Sequence, residues 1–270
     1  MSEALTRGEP VQREARPVLE VRQLSKRFSV GGREIQALHD VNLSIRKGEF
    51  VCLICASGCG KSTLLRILAG FDQASSGSAE MYGMPIAGPS PERGMVFQDF
   101  ALFPWLSVRE NIAFGPSQQG LPKPRLDALA NHYMDVVGLS PFADYFPSQL
   151  SGGMKQRVAI ARVLANDCEV LLMDEPFGAL DALTREKLQL DLLEIWARTH
   201  LTVVFVTHAV EEAVLLSDRV VVMTAGPGRI EKDIRLELQR PRDIAGLEFN
   251  QVRRDMTQLL SSHVSARVTA

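Results

Sequence analysis

The chain has 270 residues, of which 46% are hydrophobic, and a formal net charge of −2. This length and apolar content suit one large α/β domain, or a domain with an inserted subdomain. The weak net charge argues against duplex nucleic acid as a partner, because duplex-binding proteins are usually strongly basic. No uninterrupted apolar run reaches the length of a membrane span, and the most apolar stretch, 202–223, is interrupted by charged residues.

The N-terminal segment is charged and lacks the apolar region of a secretory signal. We expect residues 1–17 to form a disordered leader.

Three of the cysteines, Cys52, Cys55 and Cys59, are close together in the sequence. A metal cluster is disfavoured because they fall across a predicted strand and loop, and no matching pair of Cys or His residues follows. We therefore expect reduced thiols, as in a cytosolic protein.

Strand and helix patterns alternate along most of the chain. Two alternating segments, 18–24 and 41–45, predict half-buried strands near its start. Continuous apolar runs predict strands buried on both faces at 50–54, 170–173 and 202–206. Helical patterns separate or follow them at 62–69, 153–164, 183–198 and 209–216. This alternation predicts a parallel sheet with helices on both faces.

Residues 99–150 contain several prolines and one helical pattern, which we interpret as a helical insertion into the α/β core. The apolar face of this pattern comprises Leu126, Leu129, Ala130, Tyr133 and Val137. After residue 226 the sequence predicts a strand at 229–236, a basic loop at 240–242 and a short amphipathic helix.

The segment from Cys55 to Thr63 follows a predicted buried strand and opens a helix, which is the setting of a P-loop with the pattern G-x-x-x-x-G-K-[ST]. Such a loop curls so that its backbone N–H groups face phosphates. Lys61 is suited to neutralise the β- and γ-phosphates, and the Ser62 hydroxyl to bind Mg²⁺. The predicted nucleotide-binding residues are Cys55, Ala56, Ser57, Gly58, Cys59, Gly60, Lys61, Ser62 and Thr63, the last through an α-phosphate oxygen.

Cys55 stands where this pattern has its first glycine. A glycine there permits a turn or a close approach that a Cβ can hinder. Either the local backbone accepts an L-residue, or nucleotide binding is impaired. We expect modest impairment or none, because the N–H cradle comes mainly from residues 57–63.

Asp174 and Glu175 follow the predicted strand 170–173, at the strand end where open α/β sheets bind ligands. Asp174 is suited to hold hydrated Mg²⁺. Glu175 can polarise an attacking water as a general base. An acidic pair that only caps the next helix is the alternative, and the upstream P-loop disfavours it.

His208 and Gln98 also follow predicted strands, at 202–206 and 94–97. A single histidine is more often structural, but this position favours a contact with the γ-phosphate that helps to orient water. Gln98 can bind Mg²⁺ and report the γ-phosphate to whatever touches the insertion.

The octapeptide LSGGMKQR, residues 150–157, opens a helix with Ser151, Gly152 and Gly153. The first N–H groups of a helix lack backbone partners and lie at the positive end of its dipole, so they form an anion site. The chain thus contains a second phosphate-binding element, separate from the P-loop.

These motifs, in this order, resemble the ATP-binding cassette (ABC) family from about Val18 to Val222. The matched elements are Walker A at 55–63, the Q-loop at Gln98, the signature LSGGMKQR, Walker B in LLMDEP, the D-loop at 178–181 and the switch histidine His208. The resemblance implies ATP hydrolysis with Mg²⁺. It also implies that Phe28 stacks on adenine, with core packing as the alternative reading of this residue.

The implied fold is that of a P-loop NTPase (RecA-like): an α/β parallel-sheet core with an N-terminal antiparallel β-subdomain and an inserted helical subdomain. The ATP-binding core would comprise 18–98 and 154–225, the helical signature subdomain 99–153, and a C-terminal tail 226–270.

The resemblance also explains the two phosphate-binding elements. ABC domains dimerise head to tail, and each ATP lies between Walker A of one subunit and the signature of the other. Ser151 and Gly153 would then contact the γ-phosphate of the partner's ATP, and Asp181 would lie across the interface. ATP would hold the two subunits together until hydrolysis.

Within the family, the chain looks most like the importer ATPases for nitrate, sulfonate and taurine, on the basis of residues 91–115, Met154, 174–181 and 226–243. This implies a homodimer on two membrane permease subunits, at the cytoplasmic face of the inner membrane, with an extracytoplasmic binding protein that delivers a small anion. Nucleic acid is not an expected partner. Candidate permease contacts, each explained equally well as core of the insertion, are Phe100, Leu102, Phe103 and Trp105.

Three alternatives remain. The chain can serve an importer for another organic solute, such as a pyrimidine precursor, because such importers share this motif set. It can be a non-transport ABC ATPase of DNA repair or translation, although those usually have a long coiled coil or two cassettes. It can also bind nucleotide without turnover because of Cys55.

Overall fold

The computed structural model describes residues 17–55 and 58–268. The predicted leader, apart from Pro17, lies outside the described residues. So do two of the predicted nucleotide-binding residues, Ala56 and Ser57.

Strands and helices alternate through most of the described chain. The strands are β1 (Leu19–Val30), β2 (Arg33–Ile45), β3 (Phe50–Ile54), β4 (Ser76–Met81), β5 (Met84–Pro85), β6 (Arg93–Val96), β7 (Val170–Asp174), β8 (Thr202–Thr207), β9 (Arg219–Thr224) and β10 (Arg229–Arg235). The α-helices are α1 (Lys61–Ala69), α2 (Val108–Gln118), α3 (Lys123–Val136), α4 (Gly152–Leu164), α5 (Ala182–Thr199), α6 (Val210–Leu216) and α7 (Leu247–Val268). Short 3₁₀ turns at Ser140–Phe142 and Pro147–Gln149 precede α4.

The strands form two sheets. The smaller sheet is antiparallel, with the order β2-β1-β4-β5, and the larger has the order β10-β9-β3-β8-β7-β6. Strands β9, β3, β8, β7 and β6 are parallel, and β10 is added antiparallel to β9. The predicted parallel sheet is therefore present, and β1 and β2 belong to a separate antiparallel sheet.

The large sheet is the middle layer of the molecule, because β3 is buried on both faces. Phe50, Cys52 and Ile54 pack into a cluster with α4, α5 and α6. Val51 and Leu53 point to the other face and pack with α1 and the small sheet. A strand with apolar side chains on both faces has no solvent-facing side, which explains the continuous apolar run in the sequence.

The insertion contains two long helices, whereas the sequence predicted one. Ser107 and Glu110 begin α2 with a capping box: Ser107 Oγ accepts from the Glu110 N–H at 3.3 Å, and Glu110 Oε2 accepts from the Ser107 N–H at 2.8 Å. Pro116 lies inside α2. Proline usually marks the end of a helix, so it concealed α2 from the sequence pattern.

The strands of the small sheet are longer than predicted. Gln23 and Asp40 have positive φ angles of 46° and 48°, and the β1–β2 pairing shifts register at these places. Such irregularities break the alternation of apolar and polar residues that predicts a strand. The C-terminal helix is also longer, since α7 has 22 residues. No helix in the described part of the chain is both long enough and apolar enough to cross a membrane.

The large sheet brings four loops to one edge. Strands β3, β8, β7 and β6 are neighbours and parallel, so their carboxyl ends lie side by side. The P-loop follows β3, His208 follows β8, Glu175 follows β7 and Gln98 follows β6.

Candidate active site

The P-loop, residues 55–63, depends on glycine at two of its described positions. Gly58 and Gly60 have φ angles of 81° and 84°, a region that glycine adopts without strain. A Cβ on Gly60 would come within 2.7 Å of the Leu38 side chain and 2.8 Å of the Ala37 carbonyl oxygen. Gly60 therefore allows β2 to pack directly against the loop.

Lys61 lies at the start of α1 and is buried, with 6% of its surface exposed. Its Nζ is 3.2 Å from the Cys55 carbonyl oxygen and 3.3 Å from Cys55 Sγ. Burial lowers the pKa of Lys61, and the carboxylates of Glu175 and Asp174 oppose that shift. The ammonium group is thus held inside the loop, next to two acidic residues.

Cys55 and Cys59 are joined by a disulfide across the loop. Their Cα atoms are 6.6 Å apart, and disulfides span roughly 4.4–6.8 Å. The expectation of reduced thiols is therefore wrong for this pair, whereas Cys52 and Cys168 are free and buried. Sequence spacing alone does not show that the loop curls enough to bring these two side chains together. Cys55 does not take a positive φ, so its backbone accepts an L-residue.

Ser62 and Asp174 meet between α1 and the end of β7. Ser62 Oγ donates to Asp174 Oδ1 at 3.0 Å. Burial raises the pKa of Asp174, against the effect of the Ser62 hydrogen bond. Hydroxyl and carboxylate oxygens suit Mg²⁺, and a divalent cation would offset the cost of burying the carboxylate. This pair of oxygen donors therefore fits the predicted metal.

Glu175 and His208 form a direct contact, with His208 Nδ1 3.1 Å from Glu175 Oε2. Glu175 has a φ of 45°, unusual for a residue with a side chain. Its N–H donates to the Val206 carbonyl at 3.0 Å, so β8 holds this conformation. Beside the pair lies a cleft of about 30 Å³, also lined by Gly178 and Arg185. That volume is enough for a water molecule.

A buried carboxylate supports the His208 loop from behind, and sequence reasoning missed it. Glu212 Oε2 accepts from Thr207 Oγ1 at 2.6 Å, and Thr207 Oγ1 in turn accepts from the Ala209 N–H at 3.0 Å. Gln189, on α5, donates to Glu212 Oε1 at 3.3 Å. Burial raises the pKa of Glu212. An acidic residue among the buried positions of α6 was the available signal in the sequence.

Gln98 and Asp181 both lie near the segment that follows β7. The Gln98 Nε2 atom is 3.6 Å from the position that a Cβ on Gly178 would occupy, and the Gly178 N–H donates to the Glu175 carbonyl at 3.1 Å. Asp181 is the N-cap of α5, where it accepts from the Thr184 N–H at 3.0 Å. This hydrogen bond lowers the pKa of Asp181.

Ser151 is the N-cap of α4 and accepts from the Met154 N–H at 3.3 Å. A Cβ on Gly153 would lie 2.5 Å from Thr184 Cγ2, and one on Gly152 would lie 3.0 Å from Leu180 Cδ2. The glycines of the signature therefore let the starts of α4 and α5 meet. Sequence reasoning assigned Gly152 and Gly153 to phosphate alone, and the structure adds this packing role.

Phe28 lies on β1, with 37% of its surface exposed. Its ring is 4.9 Å from the ammonium of Lys26, which forms a 2.6 Å ion pair with Asp72. Lys26 pairs with Leu38, the residue that packs against Gly60. Phe28 lies two residues along β1 from Lys26, and its exposed ring belongs to neither core cluster.

Gly228 is a second residue that sequence reasoning missed. Its N–H donates to the Ala37 carbonyl and its carbonyl accepts from the His39 N–H, both at 2.9 Å. A Cβ on Gly228 would lie 2.0 Å from the Cys59 carbonyl oxygen. The first turn of the tail thus braces the P-loop, and its signal was the Gly-Pro-Gly sequence at 226–228.

The apolar residues after Gln98 separate into two groups. Trp105 is 70% exposed. Phe100 and Leu102 are partly buried against the main core, and the Phe103 ring packs on Phe114 at 4.3 Å between centroids. Trp105 is therefore the most available of the four for a partner.

Comparisons with known proteins identify the family to which the chain belongs. Residues 38–178 match the family model described as ABC transporter. The chain is 54% identical over 219 residues to a taurine import ATP-binding protein of Roseobacter denitrificans, covering 81% of this chain and 82% of that protein. It is 49% identical over 221 residues to a nitrate import ATP-binding protein of Synechocystis sp., covering 82% and 83%.

A solved structure has the same fold. It is a dimeric ATP-binding cassette in a post-hydrolysis state, bound to ADP and Pi, with 32% sequence identity. The two chains superpose with a TM-score of 0.72 over 82% of this chain and 100% of the other. The predicted fold class, a P-loop NTPase core with an antiparallel β-subdomain and an inserted helical subdomain, is confirmed.

Proposed function

Because the chain belongs to the ABC transporter family, we propose that it is the ATP-hydrolysing subunit that energises import of a small anion. The taurine and nitrate import proteins, each about half identical to it, support this solute class. The observation that carries the proposal is the convergence of three features at one sheet edge: buried Lys61, the Ser62–Asp174 pair and the Glu175–His208 pair.

In this proposal, Lys61 and the N–H groups of the P-loop bind the β- and γ-phosphates of ATP. Ser62 and Asp174 hold Mg²⁺, with Gln98 as a further ligand. When bound, Mg²⁺ neutralises charge on the phosphates. Phe28 stacks on adenine, which its exposure permits.

Glu175 accepts a proton from the attacking water, and His208 orients both the carboxylate and the γ-phosphate. The 3.1 Å contact between them supports this assignment, because a general base must be held in one orientation. The adjacent cleft provides room for the water.

The signature serves a second copy of the chain. Ser151 and Gly153 contact the γ-phosphate of the partner's ATP, and Asp181 lies across the interface. Hydrolysis removes the γ-phosphate that both subunits contact. The closed dimer is then no longer stabilised relative to the separated subunits. The dimeric cassette bound to ADP and Pi, which is 32% identical to this chain, supports a dimeric assembly.

We further propose that the homodimer binds two permease subunits on the cytoplasmic face of the membrane, with an extracytoplasmic binding protein that delivers the solute. Trp105, exposed in the segment after Gln98, is the residue that we propose to contact the permease.

Transport by the reconstituted complex tests the proposal. The chain is placed in proteoliposomes with a candidate permease and a candidate binding protein, and uptake of labelled taurine, an alkanesulfonate and nitrate is measured. We expect uptake of one of these anions that requires ATP and is abolished by Glu175→Gln. ATP-dependent uptake of a pyrimidine precursor instead would favour the alternative solute, and turnover unaffected by the permease would contradict an importer.

A further inference from the structure

The P-loop contains a sulfur pair that the fold brings together. Cys55 and Cys59 are bonded, with 6.6 Å between their Cα atoms, and each is at least 97% buried. The other two cysteines, Cys52 and Cys168, are buried without a disulfide partner. The pair is therefore a discrete two-electron site within the phosphate-binding element.

Lys61 connects this site to the phosphates. Its Nζ lies 3.3 Å from Cys55 Sγ and 3.7 Å from Cys59 Sγ. The same ammonium also contacts the Cys55 carbonyl oxygen at 3.2 Å. The ammonium group of Lys61, which we expect to neutralise phosphate charge, thus contacts both cysteines of the disulfide.

The loop is also fixed from outside. Gly228 approaches the Cys59 carbonyl so closely that a Cβ there would overlap it, and Leu38 packs on Gly60 in the same way. A loop held on one side by these contacts cannot move as a rigid body to accommodate phosphates. The bond between Cys55 and Cys59 also fixes the separation of these two residues, so it further restricts any adjustment of the loop.

From these contacts we propose that Cys55 and Cys59 form a redox-modifiable site, and that the disulfide form binds nucleoside triphosphate more weakly than the dithiol form. Reduction frees the loop backbone to fold around the phosphates and releases Lys61 from the bonded sulfurs. Disulfides in cytosolic proteins of mesophiles, where they occur, are usually transient and either catalytic or redox-sensing. The inference rests on nucleotide binding at this loop, which is part of the proposed function.

The chemistry is thiol–disulfide exchange with a small-molecule disulfide, for which glutathione disulfide is the probe. One cysteine thiolate attacks glutathione disulfide, forming a mixed disulfide and releasing one glutathione thiolate. The second cysteine then attacks the mixed disulfide, closing the Cys55–Cys59 bond and releasing the second glutathione. Two protein thiols are oxidised and one glutathione disulfide is reduced to two thiols. The burial of both sulfurs predicts slow exchange.

ATP binding and the redox state of the cysteine pair must affect each other equally. If the dithiol form binds ATP more tightly by a given factor, ATP must stabilise the dithiol against oxidation by the same factor. Each tenfold difference in ATP affinity then raises the midpoint potential of the pair by about 30 mV at saturating ATP.

The test uses the full chain, equilibrated in glutathione buffers until its thiol count is constant. Thiols are counted by mass after alkylation, and the Kd for ATP is measured without turnover by calorimetry. We expect four thiols and tight binding in the reduced chain. The oxidised chain should have two thiols and an ATP affinity at least about tenfold weaker, a difference of about 1.4 kcal/mol.

Three variants separate the disulfide from other effects. Cys55→Ser keeps a side chain at this position without its sulfur, and Cys55→Gly restores the usual glycine; both should bind ATP equally in all buffers. Cys168→Ser is the matched control, because burial raises the pKa of this thiol to about 12 and it lies outside the loop. This variant should remain redox-sensitive.

Equal ATP affinities of the two-thiol and four-thiol forms would overturn the inference, as would four thiols in every buffer. Redox sensitivity that persists in Cys55→Ser would also overturn it. Absence of ATP binding by the reduced chain would instead contradict the proposed function, so the two failures are distinguishable.

Discussion

His208 Nδ1 lies 3.1 Å from Glu175 Oε2, a side-chain contact between the loops that follow β8 and β7. Glu175 is held in a left-handed conformation by the hydrogen bond from its N–H to the Val206 carbonyl. A residue with a side chain adopts such a conformation only where its surroundings determine it. The geometry therefore aims the carboxylate at the end of β8, where His208 begins the next loop.

Glu175→Gln should nearly abolish hydrolysis and leave ATP binding intact. The amide has the same shape as the carboxylate but cannot accept a proton from water, so we expect kcat to fall by about 10²–10⁴. Steady-state ATPase and the Kd for ATP are the measurements. Glu211→Gln, on the exposed side of α6, is the control and should keep its activity. A Glu175→Gln chain with unchanged kcat would refute the role of general base.

Ser151→Arg should abolish ATP-driven dimerisation and leave ATP binding to the monomer largely unchanged. The arginine adds bulk at the N-cap of α4, the position proposed to meet the partner's γ-phosphate. The substitution is made in a chain that also carries Glu175→Gln, so that ATP is not hydrolysed. The molar mass of this chain is then measured by light scattering with and without ATP. Ser151→Ala controls for the lost cap, which costs about 1 kcal/mol of stability. Loss of ATP binding by the Ser151→Arg monomer would mean that the signature serves its own subunit.

The parallel sheet and the loops at its edge could be predicted because continuous apolar runs and the motifs after them are local signals. Residues 50–54 are all apolar, and this run predicts the burial of β3 on both faces. In contrast, α2 was missed because Pro116 interrupts its pattern, although Ser107 and Glu110 mark its start. Local signals of opposite sign compete there, and tertiary packing decides between them.

The supporting contacts of the site could not be predicted because they are made over long sequence separations. Gly228 reaches Cys59 from the tail, and Gln189 reaches Glu212 from another helix. Nothing in the sequence near either residue indicates its partner. The disulfide is a different case, since its cysteines are close in sequence but meet only because of the curvature of the loop.

Glu212→Ala should lower kcat without a matching change in the KM for ATP. Glu212 positions the loop of His208 through the Thr207 hydroxyl. We expect a fall in kcat of about tenfold, equal to about 1.4 kcal/mol. Glu212→Gln should restore part of the activity, because its amide oxygen can accept from Thr207. A raised KM with normal kcat would show that Glu212 acts in ATP binding instead.

The same residue predicts how stability depends on pH. Burial raises the folded-state pKa of Glu212 above its ordinary value of 4.5, so the folded chain binds more protons than the unfolded chain between these two values. The contribution of Glu212 to the free energy of unfolding is therefore fully present below its unfolded-state pKa. It is lost as the pH rises through the raised folded-state pKa. Urea unfolding from pH 4.5 to 7 should show wild type losing stability relative to Glu212→Gln. A constant difference across this range would contradict the shift.

Arg242→Met should destabilise the fold by removing the anchor of the tail. The guanidinium donates to the carbonyls of Val214 at 2.5 Å, Leu215 at 3.3 Å and Ser217 at 2.7 Å. The last carbonyls of a helix have no partners within it, so Arg242 satisfies the end of α6. Burial lowers its pKa to about 10, so the side chain is still charged at neutral pH.

Methionine keeps much of the apolar stem and removes every donor, which leaves these carbonyls unpaired. We expect a loss of about 1–3 kcal/mol, and a fall in Tm of about 2–4 °C per kcal/mol for a chain of this size. Arg235→Met on exposed β10 is the matched control, with an expected change within about 0.5 kcal/mol. Because α6 carries Glu212 behind His208, Arg242→Met should also lower kcat more than the control does. An equal Tm for the two variants would show that the tail is not anchored through this guanidinium.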